Sequence, residues 1–304
     1  MTGSLSGLLK PCYLFAPASL VRRLYLHFAW PESARADVDL PWGMSIEVNL
    51  KDMIGVEIFK QRIFDLAVSE CAWRLLARGD RVIDAGANIG YMTMLFAARV
   101  GGSGIVHAFE PHPRVRALLE RNVARIRQHE DAPQIEVHAC ALGRSRGNAE
   151  LIETDHFGAN EGSARIAHAS ERIENKANSH AVQVETLDGL FPDESFTLLK
   201  IDVEGFEQEV LEGALGLLSA RRIRHVIFED NSRIKSELPD LLSRYGYTIF
   251  SIGYGTLGPR LLRSSEGPIE IDASWESASF VATLVPEEVT TLMSAKGWRV
   301  LKGA

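Results

Sequence analysis

The amino-acid sequence predicts an α/β domain built on a parallel, doubly wound sheet. From residue 81 onward, short β-branched runs alternate with longer stretches of helical apolar spacing. A glycine turn at residues 86–90 follows the first such run and opens the first helical stretch. Apolar residues make up 46% and charged residues 24%, the balance of a chain with one buried core. Strands that alternate with helices imply a parallel sheet with right-handed crossovers.

The elements follow in order. Residues 81–85 form a short buried strand, and residues 91–100 have helical apolar spacing. A second strand is expected at 105–109. The stretch 114–128 is amphipathic, with Val115, Leu118, Leu119, Val123 and Ile126 on one stripe. A third strand covers 135–139. The interval 144–180 is rich in Ser, Asn, Ala, His and Gly and reads as a long loop with a short strand near 149–153. The alternation resumes with strands at 182–186 and 196–202, a helix at 206–219, the fifth main strand at 223–229 and a helix at 237–245. Two closing strands fall at 247–252 and 279–285. Residues 1–64 are an N-terminal addition, and residues 65–304 are one catalytic domain.

Lys and Arg number 33 and Asp and Glu 40, a net charge of −7. That sign gives no general attraction to phosphate backbones, so no nucleic-acid partner is expected. The three cysteines, Cys12, Cys71 and Cys140, are odd in number, widely spaced and outside any CxxC. A reducing cytoplasm is the expected setting. No run reaches the ~18 apolar residues of a membrane helix, because Arg22 and Arg23 interrupt the most apolar segment. Leu20, Leu24, Leu26 and Phe28 suit a helix packed on the domain, or one lying on a membrane surface.

Asp84, Gly86, Asn88 and Gly90 stand directly after a strand and open a helix. Glycines there permit a sharp turn and close approach of a ligand, and a helix N-terminus offers free N–H groups to an anion. Glu110 ends the second strand, where a carboxylate can accept from both ribose hydroxyls of a nucleoside. A dinucleotide fingerprint needs G-x-G-x-x-G, but its three glycine positions hold Gly86, Asn88 and Tyr91. S-adenosylmethionine tolerates fewer glycines, and Asp84 suits its ammonium end. A dinucleotide-dependent oxidoreductase and a non-catalytic nucleoside-binding module remain as alternatives.

These residues, read in order, resemble the FkbM-type family of S-adenosylmethionine-dependent methyltransferases. The likeness is carried by the run Val82 to Tyr91, by Phe109-Glu110-Pro111, and by Arg121-Asn122-Val123. It continues through Ala141-Leu142-Gly143, Thr186-Leu187-Asp188, the run Leu199 to Gly205, Glu207 and the run Val210 to Ala214. The resemblance implies a Rossmann-like class I methyltransferase fold: a seven-stranded, mostly parallel sheet, helices on both faces, an antiparallel last strand. It implies methyl transfer to a hydroxyl of a small molecule, sugar or glycosylated product.

Ligands of open α/β sheets bind beyond the carboxyl ends of the strands. The acceptor hydroxyl must be aligned and relieved of a proton. Asp202 is therefore the first candidate for base or acceptor anchor and Glu204 the second, with Lys200 on the same strand face as a partner for a carboxylate. The alternative for Asp202 is a cap on the next helix, and for Lys200 a structural ion pair. Glu207 and Glu209 read as solvated helix surface. Asp202, Asp230 and Asn231 resemble the oxygen ligands of catechol-type O-methyltransferases, which would admit magnesium. The fold would line the adenine with Ala141 and Leu142. His107 and His138 read as structural strand residues, His112 as a neighbour of the nucleoside, His156 as a solvent-facing loop residue with reach to the acceptor as the alternative, and Phe157 as a loop residue that closes over the substrate.

Overall fold

The structure, a computed structural model, describes residues 26, 30–167, 178–230, 237–255, 257–263 and 278–302. The helix expected around residues 20–28 lies almost wholly outside them. β1 (Arg35–Asp39) and β2 (Ser45–Asn49) form an antiparallel hairpin that buries Val38, Ile46 and Val48 by simple alternation. Asp52 then starts α1 (Met53–Gln61) by accepting the Gly55 N–H at 2.8 Å, and Asp65 starts α2 (Leu66–Leu75) by accepting that of Val68 at 3.1 Å.

The α/β core begins with β3 (Arg81–Ala85), α3 (Tyr91–Val100), β4 (Ile105–Phe109), α4 (Pro113–Ile126) and β5 (Gln134–His138). The chain then leaves the main sheet. β6 (Cys140–Leu142), β7 (Gly147–Ile152), β8 (Arg165–Ile166) and β9 (Ser179–Glu185) make a separate four-stranded sheet in the order β6-β9-β7-β8. So the strand expected at 182–186 does not join the doubly wound sheet, and the described parts of 144–180 are largely sheet and turns rather than open loop. Their alternation is of strand type, but period-2 patterning does not say which sheet a strand joins.

The main sheet resumes after the short helix α5 (Leu187–Leu190) with β10 (Phe196–Ile201). The helix expected at 206–219 is two, α6 (Glu207–Glu212) and α7 (Leu215–Ser219), divided at Gly213, whose Cβ position would lie 2.0 Å from the Gly143 carbonyl oxygen. β11 (Ile223–Asp230), α8 (Leu238–Arg244), β12 (Thr248–Gly255), β13 (Gly258–Arg263), β14 (Ala278–Thr283) and α9 (Pro286–Ser294) follow. The sheet order is β13-β12-β14-β11-β10-β3-β4-β5. β14 runs antiparallel between β11 and β12, the reversed last strand of the methyltransferase topology. The eighth strand, β13, is a hairpin extension of β12. Alternate residues of the central strands bury on opposite faces: Val82, Val106 and Leu198 on one, Ile83, Phe109 and Leu199 on the other.

One buried ion pair joins α2 to the segment after α9. Arg74 Nε donates to Glu70 Oε1 at 2.5 Å, and both side chains are fully buried. The guanidinium also donates to the carbonyls of Leu292, Ala295 and Gly297, while Glu70 accepts the N–H groups of Arg299 and Val300 at 2.9 and 2.8 Å. Removing one member leaves an uncompensated buried charge and several unpaired backbone groups. Arg74→Met is expected to lower the unfolding free energy by about 3–5 kcal/mol, measured by urea denaturation. A loss under about 1 kcal/mol, the scale of an exposed pair, would contradict the clamp.

Candidate active site

The carboxyl ends of β3, β4 and β10 meet at the glycine turn. Gly86 has φ +78°, and a Cβ there would fall 1.8 Å from the Asp202 carbonyl oxygen, so only glycine lets the two strand ends touch. The N–H groups of Gly86 and Ala87 both donate to the Phe109 carbonyl, at 3.0 and 2.9 Å. Gly90 (φ +94°) begins α3 with no side-chain cap, leaving first-turn N–H groups for an anion.

Asp84 is fully buried beneath this turn. Its Oδ2 accepts the Thr93 hydroxyl at 2.6 Å, and its Oδ1 has no hydrogen-bond partner. Parallel register sets Lys200 opposite Asp84, with Nζ 3.9 Å from Oδ1. The same Nζ lies 3.0 Å from Asp202 Oδ2 and 3.5 Å from the Gly86 carbonyl. Burial pushes the Asp84 carboxyl up, with Lys200 and Thr93 opposing. Burial acts against charge on Lys200 as well, but Asp202 and Asp84 outweigh it and hold the ammonium above its ordinary value.

Glu110 follows β4 and is 8% exposed. It accepts the N–H groups of Asn88 and His112 at 2.9 and 2.8 Å, one on each oxygen. Each oxygen keeps a second acceptor site. Burial pushes the carboxyl up to about 7 against the pull of these donors.

Beyond β10 the chain turns sharply. Glu204 is exposed and has φ +53°, a left-handed backbone for a residue with a Cβ. Desolvation and the neighbouring carboxylates of Asp202 and Glu207 raise it to about 7. Glu207 is not merely surface: its Oε1 accepts the N–H groups of Val203 and Gly205 and holds this turn. Asp202 makes its ion pair with Lys200, and the next helix starts only at Glu207.

Magnesium fits this edge poorly. A divalent ion on Asp202 would share its carboxylate with an ammonium 3.0 Å away. Asp230 ends β11, and Asn231 lies outside the described residues. Among the described residues, the sets able to converge on an ion are His107, Glu136, His138 and His112, Glu153, His180, neither of which includes Asp202 or Asp230.

Ala141 and Leu142 follow β5 in the short strand β6, and both are buried. His112 is buried at the start of α4. Its Nδ1 accepts the Val115 N–H at 3.4 Å and its Nε2 donates to Glu153 Oε1 at 3.1 Å. His180 reaches the same oxygen at 3.2 Å. Desolvation acts upward on Glu153, but these two hydrogen bonds hold its carboxyl below its ordinary value. The pairing of Glu153 with His180 escaped the sequence reading; the only signal was that both lie within the Ser- and Asn-rich interval 144–180. Phe157 is not free to close over a substrate: it is buried, packed on the His112 ring with centroids 4.6 Å apart and covered by Arg114. His156 is exposed in the same turn. This turn packs over the glycine loop, with the Met53 N–H on the Ala159 carbonyl at 2.8 Å, the Glu161 N–H on Asp52 at 2.7 Å and Gly162 against Asn88.

The chain is 28% identical over 253 residues to "AMB antimetabolite synthetase AmbE" of Pseudomonas aeruginosa PAO1, a match covering 70% of this chain and 11% of that protein. It is 27% identical over 220 residues to "Methyltransferase sdnD" of Sordaria araneosa, covering 64% of this chain and 80% of that one. A crystal structure of a methyltransferase FkbM from Methylobacillus flagellatus KT aligns at 18% identity and a TM-score of 0.43, over 66% of this chain and 43% of that one. The chain thus spans about a tenth and under half of the lengths of the first and last of these. Residues 84–249, just over half of the sequence, match the "Methyltransferase FkbM domain" model. From the glycine turn and Asp84 through the β10 turn to β12, the matched stretch carries this site, and the chain belongs to the FkbM family of methyltransferases.

Proposed function

We propose that the protein is an S-adenosylmethionine-dependent O-methyltransferase acting on a hydroxyl of a small molecule or glycan. The supporting observation is the pairing of buried Asp84 and Glu110 carboxylates around an uncapped helix N-terminus. Asp84 Oδ1, which accepts no hydrogen bond, suits an ammonium group, the first-turn N–H groups of α3 suit a carboxylate, and the spare acceptor sites of Glu110 suit ribose hydroxyls. Ala141 and Leu142 would line the adenine. When bound, the cofactor supplies an electrophilic methyl group on a cationic sulfonium. The reading includes a small-molecule partner, a division between residues 1–64 and 65–304, and a cytoplasmic setting. The buried, unpaired thiols of Cys71 and Cys140 support that setting.

In this reading Glu204 takes the proton from the acceptor hydroxyl, Asp202 anchors the acceptor, and Lys200 positions Asp202. Glu204 is the exposed carboxylate of the β10 turn, and its neighbours Asp202, Glu207 and Lys200 set its charge. A base poised near neutrality is the efficient choice at pH 7. A dinucleotide is disfavoured because Asn88 and Tyr91 hold the second and third glycine positions, where glycine would let the backbone approach the pyrophosphate and the helix pack closely on its strand.

Thermal-shift measurements are expected to give a higher Tm with S-adenosylmethionine or S-adenosylhomocysteine; a rise with NAD alone would overturn the reading. By calorimetry, Glu110→Gln should weaken S-adenosylhomocysteine binding roughly 10- to 100-fold, the scale of one hydrogen bond to a charged group. An unchanged affinity would remove Glu110 from the cofactor site. Activity requires Glu204 deprotonated, so kcat should rise with pH through about 7. Glu204→Gln should abolish that limb and lower kcat about 10²–10⁴-fold. A variant that keeps the wild-type pH profile would assign the base elsewhere.

A further inference from the structure

We propose that His107, Glu136 and His138 form a binding site for a zinc-type divalent cation, separate from the methyl-transfer site. β4 and β5 are parallel neighbours in which His107 lies opposite Glu136 and Phe109 opposite His138. Residues two apart on a strand share a face. The register therefore brings one side chain from β4 and two from β5 together at the last strand of the main sheet.

The three ligand atoms are spaced for one small ion. His107 Nδ1 lies 3.2 Å from His138 Nε2 and 3.3 Å from Glu136 Oε2, and His138 Nε2 lies 3.8 Å from the same oxygen. Zinc–ligand bonds of about 2.0–2.1 Å in a tetrahedron put neighbouring ligand atoms about 3.3–3.4 Å apart. Two imidazole nitrogens facing each other at 3.2 Å need a shared proton or a shared cation between them. The rings are already fixed: His138 stacks on Phe109 at 4.3 Å with 10° between planes, and His107 packs on Phe191 at 4.7 Å. The other nitrogen of His107, Nε2, is buried without a hydrogen-bond partner, so Nδ1 is the working end of that ring. Glu136 is 43% exposed in its side chain, which gives an entry path and room for a water as fourth ligand.

The second triad has the same composition and lacks this chemistry. His112 Nδ1 already accepts a backbone N–H, so its hydrogen sits on Nε2 and is donated to Glu153. That nitrogen has no lone pair for a cation, and the group is a hydrogen-bond network. A bound ion at the first triad would fasten β5 to β4. The Glu110 N–H donates to the His138 carbonyl at 3.1 Å, so the ion would also stiffen the strand end that carries Glu110.

The test is calorimetric titration of the metal-free full-length chain with zinc alone, with cobalt as a spectroscopic probe. One equivalent should bind, and bound cobalt should show the visible d–d bands of four-coordination. His138→Ala should weaken binding by more than about 100-fold, beyond the loss seen when only an outer-shell partner is removed. Glu136→Gln, a change at a partly exposed side chain that leaves the strand pairing intact, should weaken it at least about 10-fold. It decides the question if the alanine variant does not fold. His180→Ala should bind zinc like the wild type. Absence of binding, binding kept by Glu136→Gln, or loss in His180→Ala would overturn the site.

Discussion

A buried ammonium between two carboxylates organises the carboxyl edge of the sheet. Lys200 stands 3.0 Å from Asp202 and 3.9 Å from Asp84, and its own carbon stem is almost wholly covered. A fully buried Asp84 without an opposing cation would protonate instead of carrying charge. The parallel register of β3 and β10 supplies that cation by setting Lys200 across from Asp84. The Thr93 hydroxyl on Asp84 then fixes the first turn of α3, and the Gly86 carbonyl receives the other side of the ammonium. The glycine turn, the helix N-terminus and the β10 turn are thus held by one charge cluster.

A second layer of acids surrounds this cluster with graded environments. Glu110 is buried and satisfied by backbone donors, whereas Glu204 is exposed on a strained turn among other carboxylates. Both carboxyls are raised to about 7 chiefly by desolvation, with like charge adding to it from Asp84 at Glu110 and from Asp202 and Glu207 at Glu204. The acidic balance of the whole chain therefore has a local share at the strand ends, where a cationic cofactor would be received. It also shows why the Asp202 edge favours a lysine over a metal: the positive charge is already built into β10.

The small second sheet connects the site to the rest of the molecule. β6 continues almost directly from β5, and β9 returns beside it, so that Glu153 and His180 meet His112 next to Glu110. The turn at residues 154–163 then lies against α1 and the glycine loop, anchored by Phe157 under Arg114. The carboxyl edge of the sheet is thereby framed by chain segments from three separate stretches of sequence. On the far side, the Glu70–Arg74 pair fastens α2 to residues 292–300.

Much of this was legible in the residues themselves. The glycine turn, Asp84, Glu110 and the Lys200–Gly205 run announce their places because local rules govern them: a turn needs glycine, a strand end presents a carboxylate, a helix start offers N–H groups. The alternation of short strands and amphipathic helices likewise determined the doubly wound core, while its reversed last strand was implied by the family resemblance. What tertiary structure alone decided are the contacts between distant segments. Strand patterning at 179–185 says that the chain is extended, but not that it pairs with β6 and β7 in another sheet. His107, Glu136 and His138 each look like ordinary strand residues until register places them on one face. Glu207 looks like helix surface until the β10 turn folds back onto its carboxylate. Periodicity encodes which face of an element is buried; which partner covers that face is settled only when the whole chain packs.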